Sequence, residues 1–407
     1  MKRFNPMEAM ATTRHEFGEH GGVNMSIEAS TTFTVMRATT MPDIFHGLLG
    51  PEARGGGCYL YGRHYNPTVY ALARQLAAME ATETAYATAS GISAIAAALL
   101  QTCRHGDHIV ASDTLYGGTY ALMKNFLPER CNVHTTFVDV ENPAAVERAF
   151  SDRTRVLYVE TMANPTLVVA DLPRLAEAAH RRGAALVVDN TFAPLIVTPA
   201  RHGADVVVHS LTKFVSGSSD IIAGVVCGSK ELVSKMMDVN SGALMLVGPT
   251  MDPRVAFELS TRLPHLGVRM AEHGRRALAM AEVLARAGFD VRYPGLAGHP
   301  HHQRLARLMN EGYGWGGIVA VDLGTIERAN RFMEHLQHRE KFGFIAVSLG
   351  FTDTLMSASA SSTSSEMSTE DLGRAGISPG LVRLSVGITG SLEQRLEQLE
   401  SAIRVVS

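Results

Sequence analysis

Between residues 66 and 260, stretches of helical hydrophobic period alternate with short apolar runs. TVYALARQLAAME, GISAIAAALL and LPRLAEAAHRRG repeat their apolar positions at helical spacing, whereas HIVASD, VHTTFVDV, TRVLYVE, ALVVDN and ADVVVHS are apolar segments of strand length. This alternation predicts an α/β fold, a mostly parallel sheet with helices on both faces. The strand segments end in Ser112 and Asp113, Glu160, Asp189 and Asn190, and His209 and Ser210. Open α/β sheets bind ligands at such carboxyl ends. After a helical stretch near 254–289, the remainder (YGWGGIVAVDL, NRFMEHLQ, FIAVSL, LVRLSVG and a terminal helix) has fewer strands and longer connections. It predicts a smaller C-terminal α+β domain over 261–407, beside a main domain over 66–260. Residues 1–65 lack a sustained period and form an arm that needs another surface to pack on.

Composition narrows the classes. With 407 residues, 46% hydrophobic and 19% charged, the chain can bury a large core. A net charge of −3 supplies no basic field for nucleic acid. The N-terminus lacks the apolar core of a signal peptide and no apolar run reaches a membrane span, so a cytoplasmic protein without membrane contact is expected. Cys58, Cys103, Cys131 and Cys227 are unpaired in spacing, which predicts reduced thiols. Seven of the twelve residues from 357 to 368 are Ser. Such a stretch reads either as a linker or, lying between two strands of one small domain, as a loop that serves a site. His299, His301 and His302 in GHPHHQ lack spaced partners, so no metal site is expected. GGGC at 55–58 does not follow a strand and open a helix, and reads as a turn.

The chemistry begins with Ser90 and Gly91, which open an apolar helix whose free N–H groups suit a phosphate. Asp189 ends one strand segment, and Ser210, Thr212 and Lys213 follow the next, one β-α-β step later. Singly, Lys213 reads as a surface lysine and Asp189 as a helix cap. Together they suit pyridoxal 5'-phosphate, whose aldehyde needs an amine, whose ring nitrogen needs a carboxylate and whose phosphate needs a helix N-terminus with hydroxyls. The sheet pattern alone would also allow a non-enzymatic nucleotide-binding protein.

With YGRHYNPT (61–68), ATASGISAI (87–95), TLYGGTY (114–120), ANPT (163–166), VVDNTFAP (187–194), HSLTKFVSG (209–217) and GLVRLSVG (380–387), the chain resembles the γ-subfamily of fold type I pyridoxal-phosphate enzymes of cysteine and methionine metabolism. Within it the chain is most similar to the plant-type methionine γ-lyases, through SLGFTDTLMSASASSTSSEMS and LMLVGPTMDPRVAFELSTRLPHLG. The resemblance implies that Lys213 carries the cofactor, Asp189 pairs with its ring nitrogen, Tyr116 stacks on the ring and Asn164 contacts its phenolic oxygen. It implies a phosphate held by the Ser90 turn, the backbone of Gly91 and Ile92 and the hydroxyls of Ser210 and Thr212. Tyr61 and Arg63 would reach the phosphate of a neighbouring subunit, Tyr61 also bordering the substrate, in a homotetramer built from dimers with shared sites. Arg383 would bind the carboxylate of an amino-acid substrate, with Ser348 in the same loop region.

The implied reaction is γ-elimination, on L-methionine first, to 2-oxobutanoate, ammonia and methanethiol, with Lys213 moving the α-proton and Tyr116 assisting the leaving group. Another γ-lyase substrate (cystathionine, homocysteine or canavanine) and γ-replacement, as in O-acylhomoserine sulfhydrylases and cystathionine γ-synthases, remain open. Two departures bear on the substrate: Gly118 stands where bacterial methionine γ-lyases carry Cys, and Asn240 where plant-type sequences tend to carry Arg.

Overall fold

The computed structural model describes residues 3–13, 18, 20–45, 49–50, 59–362, 369–374 and 376–407. GGGC at 55–58 and residues 363–368 of the Ser-rich segment lie outside them. The first long helix, Pro67–Met79, starts where Pro67 supplies a helical φ and the Asn66 side chain accepts from the N–H groups of Thr68 and Val69. It buries Val69, Leu72, Leu76 and Met79, the face that the apolar spacing predicts.

Seven strands form the main sheet: β1 Thr84–Thr88, β2 His108–Ser112, β3 His134–Val138, β4 Thr154–Glu160, β5 Ala185–Asp189, β6 Val206–Ser210 and β7 Gly224–Gly228. Their order is β1-β7-β6-β5-β4-β2-β3. From β6 to β3 the neighbours are parallel, whereas β7 runs antiparallel to both β6 and β1. The parallel part follows the expected pattern; TAYAT and GVVCG, which form β1 and β7, are too small in side chain to announce strands by themselves.

Alternation places Leu157, Val159, Leu186, Val188 and Val207 in one apolar cluster and Val156, Tyr158, Val187, Val206 and Val208 in another. These are the two faces of the sheet, both covered, which is why the central strands read as continuous apolar runs. Full burial of each such Val or Leu stabilises the fold by roughly 1.5–3 kcal/mol.

A second sheet holds β8 Asp290–Arg292, β9 Ile318–Asp322, β10 Gly343–Ile345, β11 Thr354–Ala358 and β12 Leu381–Ser385, in the order β10-β11-β12-β9-β8. The Ser-rich stretch therefore starts inside a strand, since Ser357 and Ala358 belong to β11 and Ser359–Ser361 form a 3-10 turn. The helix Leu266–Arg286 joins the two cores. Its Leu266 and Met270 pack under the main sheet, and its Ala277, Met280 and Leu284 pack against the second sheet.

Among the described residues no helix is long and apolar enough to cross a membrane, and no group of three or more His, Cys, Asp or Glu is placed to hold a metal ion. The histidines of GHPHHQ serve packing: His301 Nδ1 accepts from Val169 N at 2.9 Å, its Nε2 lies 3.2 Å from Glu141, and His302 stacks on Trp315. Cys103 and Cys227 are buried free thiols, and Cys131 is a half-buried one.

Candidate active site

Parallel pairing sets Glu160 at the end of β4 directly beside Asp189 at the end of β5. Both acids are buried. Asp189 Oδ1 accepts from Thr191 N at 2.9 Å, and the Tyr158 hydroxyl lies 3.4 Å from Oδ2. Burial pushes the Asp189 carboxyl above its usual range, against the pull of the Thr191 hydrogen bonds. Behind them lies a second buried pair: His209 Nε2 meets Glu80 Oε1 at 2.7 Å, and Asn190 Nδ2 donates to the same oxygen at 3.0 Å.

Lys213 sits in the turn after β6, and its Nζ donates to Ser348 Oγ at 2.9 Å. Burial, and next the Arg383 charge, bring its amine down to about 8, with Asp189 pulling the other way. At neutral pH about a tenth of this amine is then uncharged and nucleophilic.

Arg383, in the middle of β12, is 2% exposed. Its Nη2 donates to the Ser348 carbonyl at 2.7 Å and its Nη1 to Asn164 Oδ1 at 3.1 Å, while Nε has no partner. Burial lowers its pKa to about 10. Among the described residues no carboxylate forms an ion pair with this buried guanidinium, which suits an anion brought by a ligand.

The helix Gly91–Thr102 begins beside Ser210. A Cβ on Gly91 would lie 2.6 Å from Ser210 Cβ, so only glycine permits this approach. Ser90 and Ser93 close a capping box, in which Ser90 Oγ accepts from Ser93 N. Ala94 N bonds to Ser90 O, which leaves the N–H groups of Gly91 and Ile92 as the first-turn donors for an anion. Thr212 Oγ1 accepts from Ala223 N at 3.0 Å, so its hydroxyl already holds the neighbouring loop.

Tyr116 opens a short helix and is half exposed; its backbone N–H donates to Glu160 Oε1 at 2.7 Å. A Cβ on Gly118 would come within 2.6 Å of the Tyr116 ring, so any side chain there moves the ring. Asn240 lies in an exposed turn, where its N–H bonds to Asp238. Of Tyr61 and Arg63, Arg63 Nη1 donates to the Met245 carbonyl at 2.8 Å, and its guanidinium lies 5.6 Å over the Tyr61 ring.

The fold thus brings together Lys213, Ser348, Arg383, Asn164 and Tyr116, with Asp189 beneath them and Gly91 and Ser210 beside them. Sequence reasoning noted Glu160 only as a polar strand end. Its register opposite Asp189 and its bonds to Tyr116 and Asn164 carry no local signal. An anion cradle, a softened amine and a buried acid pair together suit a group with a phosphate, an aldehyde and a basic ring nitrogen.

The family model for the Cys/Met metabolism PLP-dependent enzymes matches residues 8–403. Methionine gamma-lyase of Arabidopsis thaliana is 56% identical over 98% of this chain and 90% of its own. L-methionine gamma-lyase of Pseudomonas putida is 36% identical over 95% of this chain and 94% of its own. An O-acetylhomoserine (thiol)-lyase of Campylobacter jejuni, solved with N'-pyridoxyl-lysine-5'-monophosphate, superposes with a TM-score of 0.89 at 25% identity, covering 98% of this chain and 100% of that one. Likeness over nearly the whole length, on a site already shaped for the cofactor, makes the chain a member of the pyridoxal-phosphate-dependent enzymes of cysteine and methionine metabolism, a lyase that works with pyridoxal 5'-phosphate.

Proposed function

We propose that this chain catalyses γ-elimination on L-methionine: methionine and water give methanethiol, 2-oxobutanoate and ammonia. Bound pyridoxal phosphate supplies an aldehyde for amines and a protonated ring that takes up the electron pair left at the α-carbon. Asp189, buried at the end of β5, would keep the ring nitrogen protonated. Gly91 and Ile92 N–H, with the Ser210 hydroxyl, would hold the phosphate, while Ser90 and Thr212 hold the loops that shape this cradle. Asn164 would meet the cofactor's phenolic oxygen.

Arg383 would bind the substrate carboxylate, and Ser348, whose Oγ accepts from Lys213 Nζ, would orient that amine. Lys213 would remove the α-proton, and a second proton would leave the β-carbon, whose electron pair forms the Cβ–Cγ double bond as the Cγ–S bond breaks. Tyr116, over the same space, donates a proton to the departing sulfur. The observation that carries this reading is Arg383, a buried cation with an unpartnered Nε and no carboxylate of its own, linked through Ser348 to the Lys213 amine. Full-length likeness to methionine γ-lyases supports methionine as the substrate.

We read residues 66–260 as the cofactor-binding unit, 261–407 as the C-terminal unit and 1–65 as an arm. Tyr61 and Arg63 then complete the site of a neighbouring subunit, in a cytoplasmic homotetramer built from dimers. The test is a product assay on methionine, cystathionine, homocysteine, canavanine and O-acetylhomoserine, with and without an added thiol. Release of 2-oxobutanoate, ammonia and methanethiol from methionine is expected. Negligible release alongside efficient turnover of another γ-substituted amino acid overturns the substrate, and product formed only with added thiol points to γ-replacement.

A further inference from the structure

Glu160 ends β4, and its side chain is buried at the carboxyl edge of the sheet. Each of its two oxygens is taken by a backbone N–H from a different loop. Tyr116 N donates to Oε1 at 2.7 Å, and Asn164 N donates to Oε2 at 2.8 Å. No arginine or lysine forms an ion pair with it among the described residues; its lateral neighbour is another acid, Asp189. Burial, and next the Asp189 charge, push its carboxyl up, while the two N–H groups favour the ionised form.

An acid in such a place costs stability unless its two oxygens do what other side chains cannot. Here they tie together two loops that come from different strand ends. Tyr116 lies on the loop after β2. Asn164 follows β4, and its own side chain accepts from Arg383, which reaches Ser348 and through it Lys213. Glu160 therefore bridges Tyr116 to the Asn164–Arg383–Ser348–Lys213 chain through backbone hydrogen bonds.

We infer that Glu160 is a positioning residue for the cofactor, its carboxylate clamping the Tyr116 and Asn164 loops at a fixed separation. This rests on the reading that Tyr116 and Asn164 face the cofactor. The clamp needs two acceptors. Glutamine keeps the size but offers one oxygen, and turns its NH2 towards the second backbone N–H, donor against donor. Aspartate keeps both acceptors on a side chain one methylene shorter, too short to serve both loops.

The experiment uses the full chain, stripped of cofactor and titrated with pyridoxal 5'-phosphate, with visible absorbance and visible circular dichroism as readouts. Glu160→Gln and Glu160→Asp are compared with Tyr116→Ala and Asn164→Ala. Loss of one charged hydrogen bond predicts cofactor affinity about tenfold weaker or more in Glu160→Gln. At saturation the visible dichroism is expected to move in the direction seen in Asn164→Ala or Tyr116→Ala, with far-ultraviolet dichroism of the stripped protein unchanged.

Wild-type affinity and visible dichroism in Glu160→Gln overturn the clamp, as does a lowered melting temperature with the saturated visible signal unmoved. If Tyr116→Ala and Asn164→Ala themselves leave both readouts as in the wild type, the site reading fails and takes the clamp with it. Should the Glu160 variants not fold, hydrogen exchange on the wild-type stripped protein decides. The amides of Tyr116 and Asn164 are expected to be protected relative to exposed amides of the same loops, and exchange of either at the solvent rate overturns the clamp.

Discussion

Lys213 shows how one residue can be ready for chemistry at the expense of the empty fold. Its amine is brought from 10.5 to about 8, first by burial and then by Arg383. A lysine with a lowered folded pKa contributes stability that is present above the unfolded value and lost as pH falls through the folded one. The cofactor-free protein is thus expected to be weakened below pH 8 by this group. Lys213→Met removes the charge and keeps the bulk, and should be more stable than the wild type at pH 7 by on the order of 1–3 kcal/mol. Urea unfolding of both stripped proteins at pH 7 and above pH 10.5 checks this. The gap should close at the higher pH, and an equal gap at both values would remove the charge from the explanation.

At the scale of elements, the helix Leu266–Arg286 does more than join two cores. Its Arg269 donates to the carbonyls of Phe214 and Val215, the two residues after Lys213, and burial lowers its pKa to about 10. Its Nε donates to His265 Nδ1 at 3.0 Å. The helix thereby holds the turn that aims the lysine. Arg269→Met leaves two buried carbonyls without donors and should destabilise the protein by about 2–4 kcal/mol. The same variant should slow the capture of pyridoxal phosphate by Lys213. Denaturant unfolding with stopped-flow absorbance reads both, and unaltered capture kinetics in a destabilised variant would confine Arg269 to packing.

For the whole molecule, the position of Tyr61 and Arg63 is the point at issue. Arg63 is held by the Met245 carbonyl, beside Leu246 and Val247, which are 58% and 61% exposed. Adjacent exposed apolar side chains of this size suit a subunit contact. If sites are shared between subunits, Arg63→Ala and Lys213→Ala proteins, each inactive, should regain part of the activity when mixed under conditions of subunit exchange. Mixed dimers then contain one site with both residues intact. No recovery despite demonstrated exchange would mean that each chain completes its own site.

The buried parallel strands were legible because both of their faces are covered, so Val and Leu, with Tyr158, run on without charged breaks from 156 to 159, 186 to 188 and 206 to 208. The order of Ser90, Asp189 and Lys213 was legible for a related reason. Strand ends and helix starts are local features; the step from Asp189 to Lys213, however, is not the expected β-α-β unit, since β5 and β6 are joined through the 3-10 turn Pro199–His202 with no α-helix between them. Tertiary structure alone decided that β7 runs antiparallel to both β6 and β1, because strand direction follows from the connections and packing and not from the side chains of the strand itself. It alone set Glu160 opposite Asp189, and joined Arg383 to Asn164, 219 residues away. Register and contacts at that distance follow from how the packed layers fit together, which no local run of apolar and polar residues records.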